Sequence, residues 1–204
     1  MKTLEQQLGD AGLKVSGHCG HLSTFGPDML NTSPLLQDMT IEEADILASA
    51  MLLVRAEPGQ VLIREGDTGE WMLLLLSGTV DVTKSTSARA HDSQRAAADT
   101  PALSATPLAT PSVNMTPTFS RIAVVQRGAA FGEMSMLDSE PRFATCTAIE
   151  GVEAGVLGRR AIGELIRDHP AVGAKLLVKI TQLMAQRLRN TSNHLVKLLQ
   201  KQAL

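Results

Sequence analysis

Tyrosine is absent from this 204-residue chain, tryptophan occurs once, and aromatic residues make up 2% of it. Binding modes that stack successive bases of a nucleic-acid strand on aromatic rings are therefore poorly supported. Cysteine occurs twice. Cys19 and Cys146 lie in segments of different character and make no disulfide framework, which fits a reducing, cytoplasmic setting. The formal net charge of -2 supplies no basic field for nucleic acid or an anionic membrane. No apolar run approaches the ~18 residues of a membrane span, and Met72 to Leu76 is followed at once by Ser77-Gly78. Met1 to Asp10 lacks the basic and apolar regions of a signal peptide.

What is present concentrates in Phe131-Gly132-Glu133-Met134-Ser135-Met136-Leu137 and the following Pro141-Arg142-Phe143-Ala144-Thr145. A Gly-Glu turn precedes a short apolar helical stretch, and the chain returns on a lone arginine entering a strand. Backbone N–H groups that open a helix point at an anion, and an arginine fork neutralises it. The carboxylate of Glu133 repels a phosphate but suits a sugar hydroxyl, because an ionised carboxylate only accepts hydrogen bonds. A phosphate beside one free ribose hydroxyl describes a cyclic nucleotide.

The organisation of the chain can be followed by its punctuation. Residues 1–34 are expected to form a flexible leader, since Gly9, Gly12, Gly17 and Gly20 oppose a long helix despite Leu4 and Leu8. His18, Cys19 and His21 stand close together, but zinc needs a second ligand cluster and none follows, so no metal is expected. Thr40 and Glu43 have capping-box spacing ahead of the apolar Ile41, Ala44, Ile46 and Leu47, which predicts a helix. From Met51 to Val82 short β-rich runs alternate with Pro58-Gly59, Gly66-Asp67 and Ser77-Gly78, and the pattern resumes over Arg121–Gln126 and Thr145–Leu157. Short strands at such spacing predict a sandwich or barrel, with Gly59, Gly66 and Gly78 serving as turns.

Residues 85–120 interrupt the barrel with an Ala/Ser/Thr/Pro-rich insertion. It contains Thr100-Pro101, Thr106-Pro107, Thr110-Pro111 and Thr116-Pro117, a composition expected to be disordered. Those Thr-Pro pairs suit phosphorylation or docking, with a tolerated loop as the plainer alternative. After Pro170 a long helix is expected over residues 171–204. Leu177, Met184, Thr191 and Leu198 form one heptad column, and Thr181, Leu188 and Leu195 the next, which fits a dimer seam with polar interruptions.

Phe131 to Ala148 resembles the phosphate-binding cassette of the cyclic nucleotide-binding domain family, the module of catabolite activator proteins and protein kinase A regulatory subunits. Glu57 to Asp67 and Leu76 to Val82 resemble the glycine-punctuated turns of that family. The resemblance covers roughly Leu35 to Leu199, apart from the insertion. It implies a mainly β fold with flanking helices: a double-stranded β-helix (jelly-roll) barrel over residues 35–170, an N-terminal helix and a long C-terminal helix.

The resemblance also implies roles. Arg142 would pair with the cyclic phosphate and Glu133 with the ribose 2′-hydroxyl. Gly132 would let the backbone approach the sugar, Met134 belongs to the same ligand-binding stretch, and Ser135 and Phe143 would offer main-chain N–H groups to the phosphate. Phe143 stands where the family usually carries Ala, Ser or Thr, so its ring would crowd the base or stack on it. Arg187 to Ser192 resembles the activators' dimer helix, in which Thr191 would read adenine in its own pocket and Ser192 in the partner's.

The implied function is a stand-alone sensor of cAMP foremost, or of cGMP, that rearranges a homodimer and signals to an unidentified downstream protein. The alternatives are a cyclic di-GMP-binding variant and a degenerate interaction module. The chain ends at Leu204 without the activators' helix-turn-helix, so direct DNA binding is not expected, and no membrane partner is either. An enzyme is not expected. Metal-dependent cupins share the barrel but need histidines on its strands, and all five histidines lie in the leader, the insertion or the C-terminal helical region.

Overall fold

The computed structural model describes residues 2–25, 28–86 and 118–202. Its elements run α1 (Leu4–Asp10), β1 (Lys14–His18), α2 (Met29–Thr32), α3 (Ile41–Ser49), β2 (Leu52–Ala56), β3 (Val61–Ile63), β4 (Trp71–Ser77) and β5 (Thr79–Ser85). They continue with β6 (Phe119–Gln126), β7 (Ala130–Phe131), α4 (Glu133–Asp138), β8 (Thr145–Ala148), β9 (Val152–Gly158), α5 (Arg159–Asp168) and α6 (Pro170–Gln202). The strands form two antiparallel sheets, β1-β2-β9-β4-β7 and β3-β8-β5-β6. This is the mainly β jelly-roll arrangement with flanking helices that the motifs imply.

The run Trp71 to Leu76 shows why the two layers hold together. Strand residues alternate between faces. Trp71, Leu73 and Leu75 enter the core between the sheets with Val54, Leu62, Val80 and Val156. Met72, Leu74 and Leu76 enter a second core with Leu47, Leu165, Leu176 and Ile180 of the helices. A strand buried on both faces reads as a continuous apolar run, and β4 is such a strand. The capping box forms as expected: Glu43 N–H donates to Thr40 Oγ1 at 3.2 Å and Thr40 N–H to Glu43 Oε2 at 2.9 Å. Gly59, Gly66 and Gly78 all take positive φ.

The described residues of 1–34, expected to be a flexible leader, form elements packed on the barrel. α1 carries its own capping box at Thr3, and β1 adds a strand to β2 with a bulge between Val15 and Gly17. Leu8, Leu13, Leu22 and Met29 are buried, and Ser33 Oγ donates to Gly128 O at 2.6 Å. The glycines that argued against order serve it: Gly12 holds positive φ in the turn between α1 and β1, and Gly17 holds it at the bulge within β1. His21 pairs with Asp45 at 2.8 Å, and Cys19 is buried; the described residues hold no metal-ligating cluster.

The ends of the insertion are strand rather than loop. Ser85 pairs with Phe119, and β5 and β6 run antiparallel up to that point with a register shift between Val82 and Thr83. The four Thr-Pro pairs lie outside the described residues, except that Thr118 follows the last of them and accepts from Thr86 N–H at 2.8 Å. The C-terminal helix starts at Pro170, and α5, which the sequence reading did not separate, precedes it. Gly173 lets the two cross closely, since a Cβ there would stand 2.8 Å from Ile166 Cα. Val172, Leu176 and Ile180 of α6 are buried in the helix-side core. No helix among the described residues is long and apolar enough to cross a membrane.

Two outcomes follow from this packing. Leu8→Ala should lower the unfolding free energy by roughly 2–5 kcal/mol, the usual cost of truncating a buried leucine; urea denaturation showing no loss would detach the N-terminal segment from the core. Burial pushes the Cys19 thiol up to about 11 and Cys146 up to about 12, from an ordinary 9.0. A raised folded-state value favours the fold below the ordinary thiol range and stops doing so as pH climbs through it. Both thiols should therefore resist Ellman's reagent in the folded protein at pH ~8 and react on unfolding.

Candidate functional site

The cassette sits where β7 ends and α4 begins. Gly132 opens α4 with φ 79°, in the left-handed region that glycine alone enters without strain. A Cβ there would also stand 2.7 Å from Ile63 Cδ1 and 3.1 Å from Arg142 Nη1. Sequence and space thus demand glycine together. The turn delivers Glu133 inward, where it is 1% exposed, and buries Ser135, while Met134 faces outward.

Glu133 is an ionisable group in the protein interior, which is costly unless it is paired. Arg187 of α6 supplies the partner: Nη1 donates to Glu133 Oε1 and Nη2 to the carbonyl of Ala130. Glu133 Oε2 is buried and has no hydrogen-bond partner among the described residues. One oxygen of the carboxylate is held by the protein and the other remains available to a donor.

Arg142 is equally enclosed. The return limb of the cassette is sewn to the β3–β4 turn, because Arg142 N–H donates to Asp67 O at 2.7 Å and Gly66 N–H to Arg142 O at 2.9 Å. The side chain runs under Gly69, where an added Cβ would stand 2.5 Å from Nη2. Nη1 donates to Gly132 O at 2.6 Å, Nη2 to Trp71 O at 2.8 Å, and the guanidinium lies 4.2 Å from the centroid of the Trp71 ring. Burial lowers its pKa to about 10, opposed by the charges of Cys146, Glu133 and Asp67. It remains a cation at neutral pH.

Arg159 braces the far end of α4. Its Nε donates to Met136 O at 2.6 Å, its Nη2 to Ser139 Oγ at 3.0 Å, and its Nη1 lies 3.4 Å from Glu70 Oε1. The rim is closed by Lys84 at the end of β5, which donates to Phe143 O at 2.7 Å and to Glu65 Oε1 at 2.9 Å.

The structure brings together Gly132, Glu133, Ser135 and Arg142. Phe143 follows them on the rim, with its ring 54% exposed. Thr191 and Ser192 are exposed on α6. Thr191 Oγ1 donates to Arg187 O at 3.0 Å, one turn from the arginine that reaches Glu133. Sequence reasoning quoted Arg187 without a role and missed Trp71, Gly69, Lys84 and Arg159. Arg187 carried one usable signal, its place one turn ahead of Thr191; the others act through contacts far apart in the chain.

Comparison with known proteins agrees with this geometry. The family model of the cyclic nucleotide-binding domain matches residues 116–169. A cyclic nucleotide-binding domain from Methylobacillus flagellatus KT superposes with a TM-score of 0.70 at 28% identity, covering 96% of this chain and 94% of that one. The catabolite activator protein of Thermus thermophilus superposes with a TM-score of 0.62 at 25% identity, covering 81% and 63%. A CRP-like cAMP-activated global transcriptional regulator of Mycobacterium tuberculosis is 26% identical over 69% of this chain and 49% of its own length. The chain thus spans about half the length of that curated relative. Residues 116–169 thus match the cyclic nucleotide-binding domain family, and nearly the whole chain superposes on a solved domain of that kind.

Proposed function

We propose that this domain is a sensor that binds a cyclic mononucleotide, cAMP foremost, and passes its occupancy to α6. The observation that carries the reading is the buried Glu133 carboxylate with its unmet Oε2, next in sequence to the Gly132 carbonyl on which Arg142 rests. A ribose 2′-hydroxyl would donate to that oxygen. Arg142 would leave the carbonyls of Gly132 and Trp71 for the cyclic phosphate, exchanging two neutral acceptors for an anion, which forms the stronger bond. Main-chain N–H groups of Ser135 and Phe143 would complete the phosphate contacts. No bond of the ligand is broken, and the chain acts as a regulator rather than a catalyst.

Arg187 makes the site communicate. It holds Glu133 and Ala130 from α6, so a ligand that engages Glu133 acts on the atom group that anchors the helix. A ligand shifts a conformational equilibrium only by its difference in affinity between states, and this shared carboxylate is where such a difference arises. Beyond Arg187 the helix exposes Leu188, Leu195, Val196, Leu198 and Leu199. We assign that stripe to pairing with a second copy. Thr191 would then meet the adenine of its own pocket and Ser192 that of the partner, and the rearranged pair would signal to another protein. A non-binding interaction module is the second reading, favoured by the Arg142 guanidinium being bonded to carbonyls.

Calorimetric titration with cAMP, cGMP and cyclic di-GMP separates these readings. Arg142→Ala should weaken cAMP binding by roughly 30- to 4000-fold, the equivalent of ~2–5 kcal/mol for a buried charge contact. No heat with any of the three would favour the interaction module. Leu188→Asp should turn the dimer into a monomer by light scattering while leaving the barrel's circular dichroism unchanged; a variant that stays dimeric would remove Leu188 from the seam.

A further inference from the structure

Arg142 is a buried cation bonded to neutral groups. It is 4% exposed, and its guanidinium donates to the carbonyls of Gly132 and Trp71. The cassette's buried carboxylate, Glu133, is ion-paired with Arg187 instead. Glu133 and Asp67 favour the charged form of Arg142, yet among the described residues no carboxylate forms an ion pair with it. Carbonyls satisfy the N–H groups but bring no opposite charge, and a buried ion in that condition is costly.

Two residues build this position. Trp71, the chain's one tryptophan, is 3% exposed and belongs to the core between the sheets. Its strand fixes it, since Trp71 pairs with Gly158 of β9. The guanidinium lies 4.2 Å from its ring centroid, within reach of a cation–π attraction. Gly69 makes the room. A Cβ added there would stand 2.5 Å from Arg142 Nη2 and 3.1 Å from both Cζ and Nε, and these are the three nearest atoms it would meet. Gly69 is not among the glycines with positive φ, so its backbone conformation does not demand glycine. The space taken by the arginine does.

The ring and the guanidinium differ in what they can do next. The ring is locked into the core, whereas the guanidinium ends a flexible side chain. Both of its terminal nitrogens donate to carbonyls in this position, and an anion would bind them more strongly. The guanidinium is therefore the part that moves when a phosphate arrives.

Resting on the cyclic nucleotide reading above, we infer that Trp71 and Gly69 form a latch that holds Arg142 in a resting position and thereby sets the affinity for the ligand. The latch and the ligand compete for one guanidinium. A protein whose binding-competent state is populated only in part shows an affinity lowered by that fraction. Weakening the latch therefore tightens binding. A site that met the phosphate with Arg142 left in place would be harmed by the same change.

Gly69→Ala is the direct probe, because the added methyl meets the guanidinium before anything else. In calorimetry on the full chain it should tighten cAMP binding by roughly 2- to 30-fold, the equivalent of ~0.5–2 kcal/mol for one cation–π contact. Fluorescence of Trp71 supplies a second readout. Saturating cAMP should change its emission in the unsubstituted protein, and Gly69→Ala should show the changed emission without ligand. Unchanged or weaker binding by Gly69→Ala overturns the latch and leaves the proposed function standing. Binding of cAMP with no change in emission does the same. Absence of binding of cAMP, cGMP and cyclic di-GMP by both proteins overturns the latch and the cyclic nucleotide reading together.

Discussion

The tie between Glu133 and Arg187 governs how this molecule is put together. A carboxylate 1% exposed would be intolerable without a counter-charge, and among the described residues none on the barrel's strands is ion-paired with it. The counter-charge comes from the middle of α6, across 54 residues of sequence. The same guanidinium also takes the Ala130 carbonyl at the end of β7. The cassette, the edge of the five-stranded sheet and the C-terminal helix therefore share one electrostatic contact, and anything that alters the surroundings of Glu133 is felt by α6.

That contact divides α6 into two parts of different character. At 33 residues the helix is about 50 Å long, more than the barrel can cover. Its first turns are held by Val172, Leu176 and Ile180 in the core. Lys175 bonds to Glu43, and Lys179 to Asp38. Past Arg187 the described side chains are exposed. An anchored half and an exposed apolar half meet at the residue that holds Glu133.

How much of this was legible beforehand depended on distance along the chain. The Thr40–Glu43 box and the turns at Gly59, Gly66 and Gly78 are local consequences of backbone geometry, and neighbouring residues announce them. The first 34 residues were misread because glycine was weighed as a helix breaker, when Gly12 and Gly17 serve a short helix and a bulged strand whose order comes from Leu8, Leu13 and Leu22 in two different cores. Arg142 was expected to meet an anion, but its present contacts with Trp71 and Gly132 could not be anticipated. They depend on Gly69 leaving room for the guanidinium.

The sequence alone determined the class of fold and the place of the cassette that carries Glu133 and Arg142. Those rest on short-range patterns: alternation along strands, positive φ at glycine and charge type at adjacent positions. Only the tertiary structure decided that Arg187 is the partner of Glu133, that Lys84 braces Phe143, and that the N-terminal segment is part of the sheet. The reason is physical. A buried charge is satisfied by whichever partner the packing brings within bonding distance, and that proximity is a property of the assembled core rather than of any segment within it.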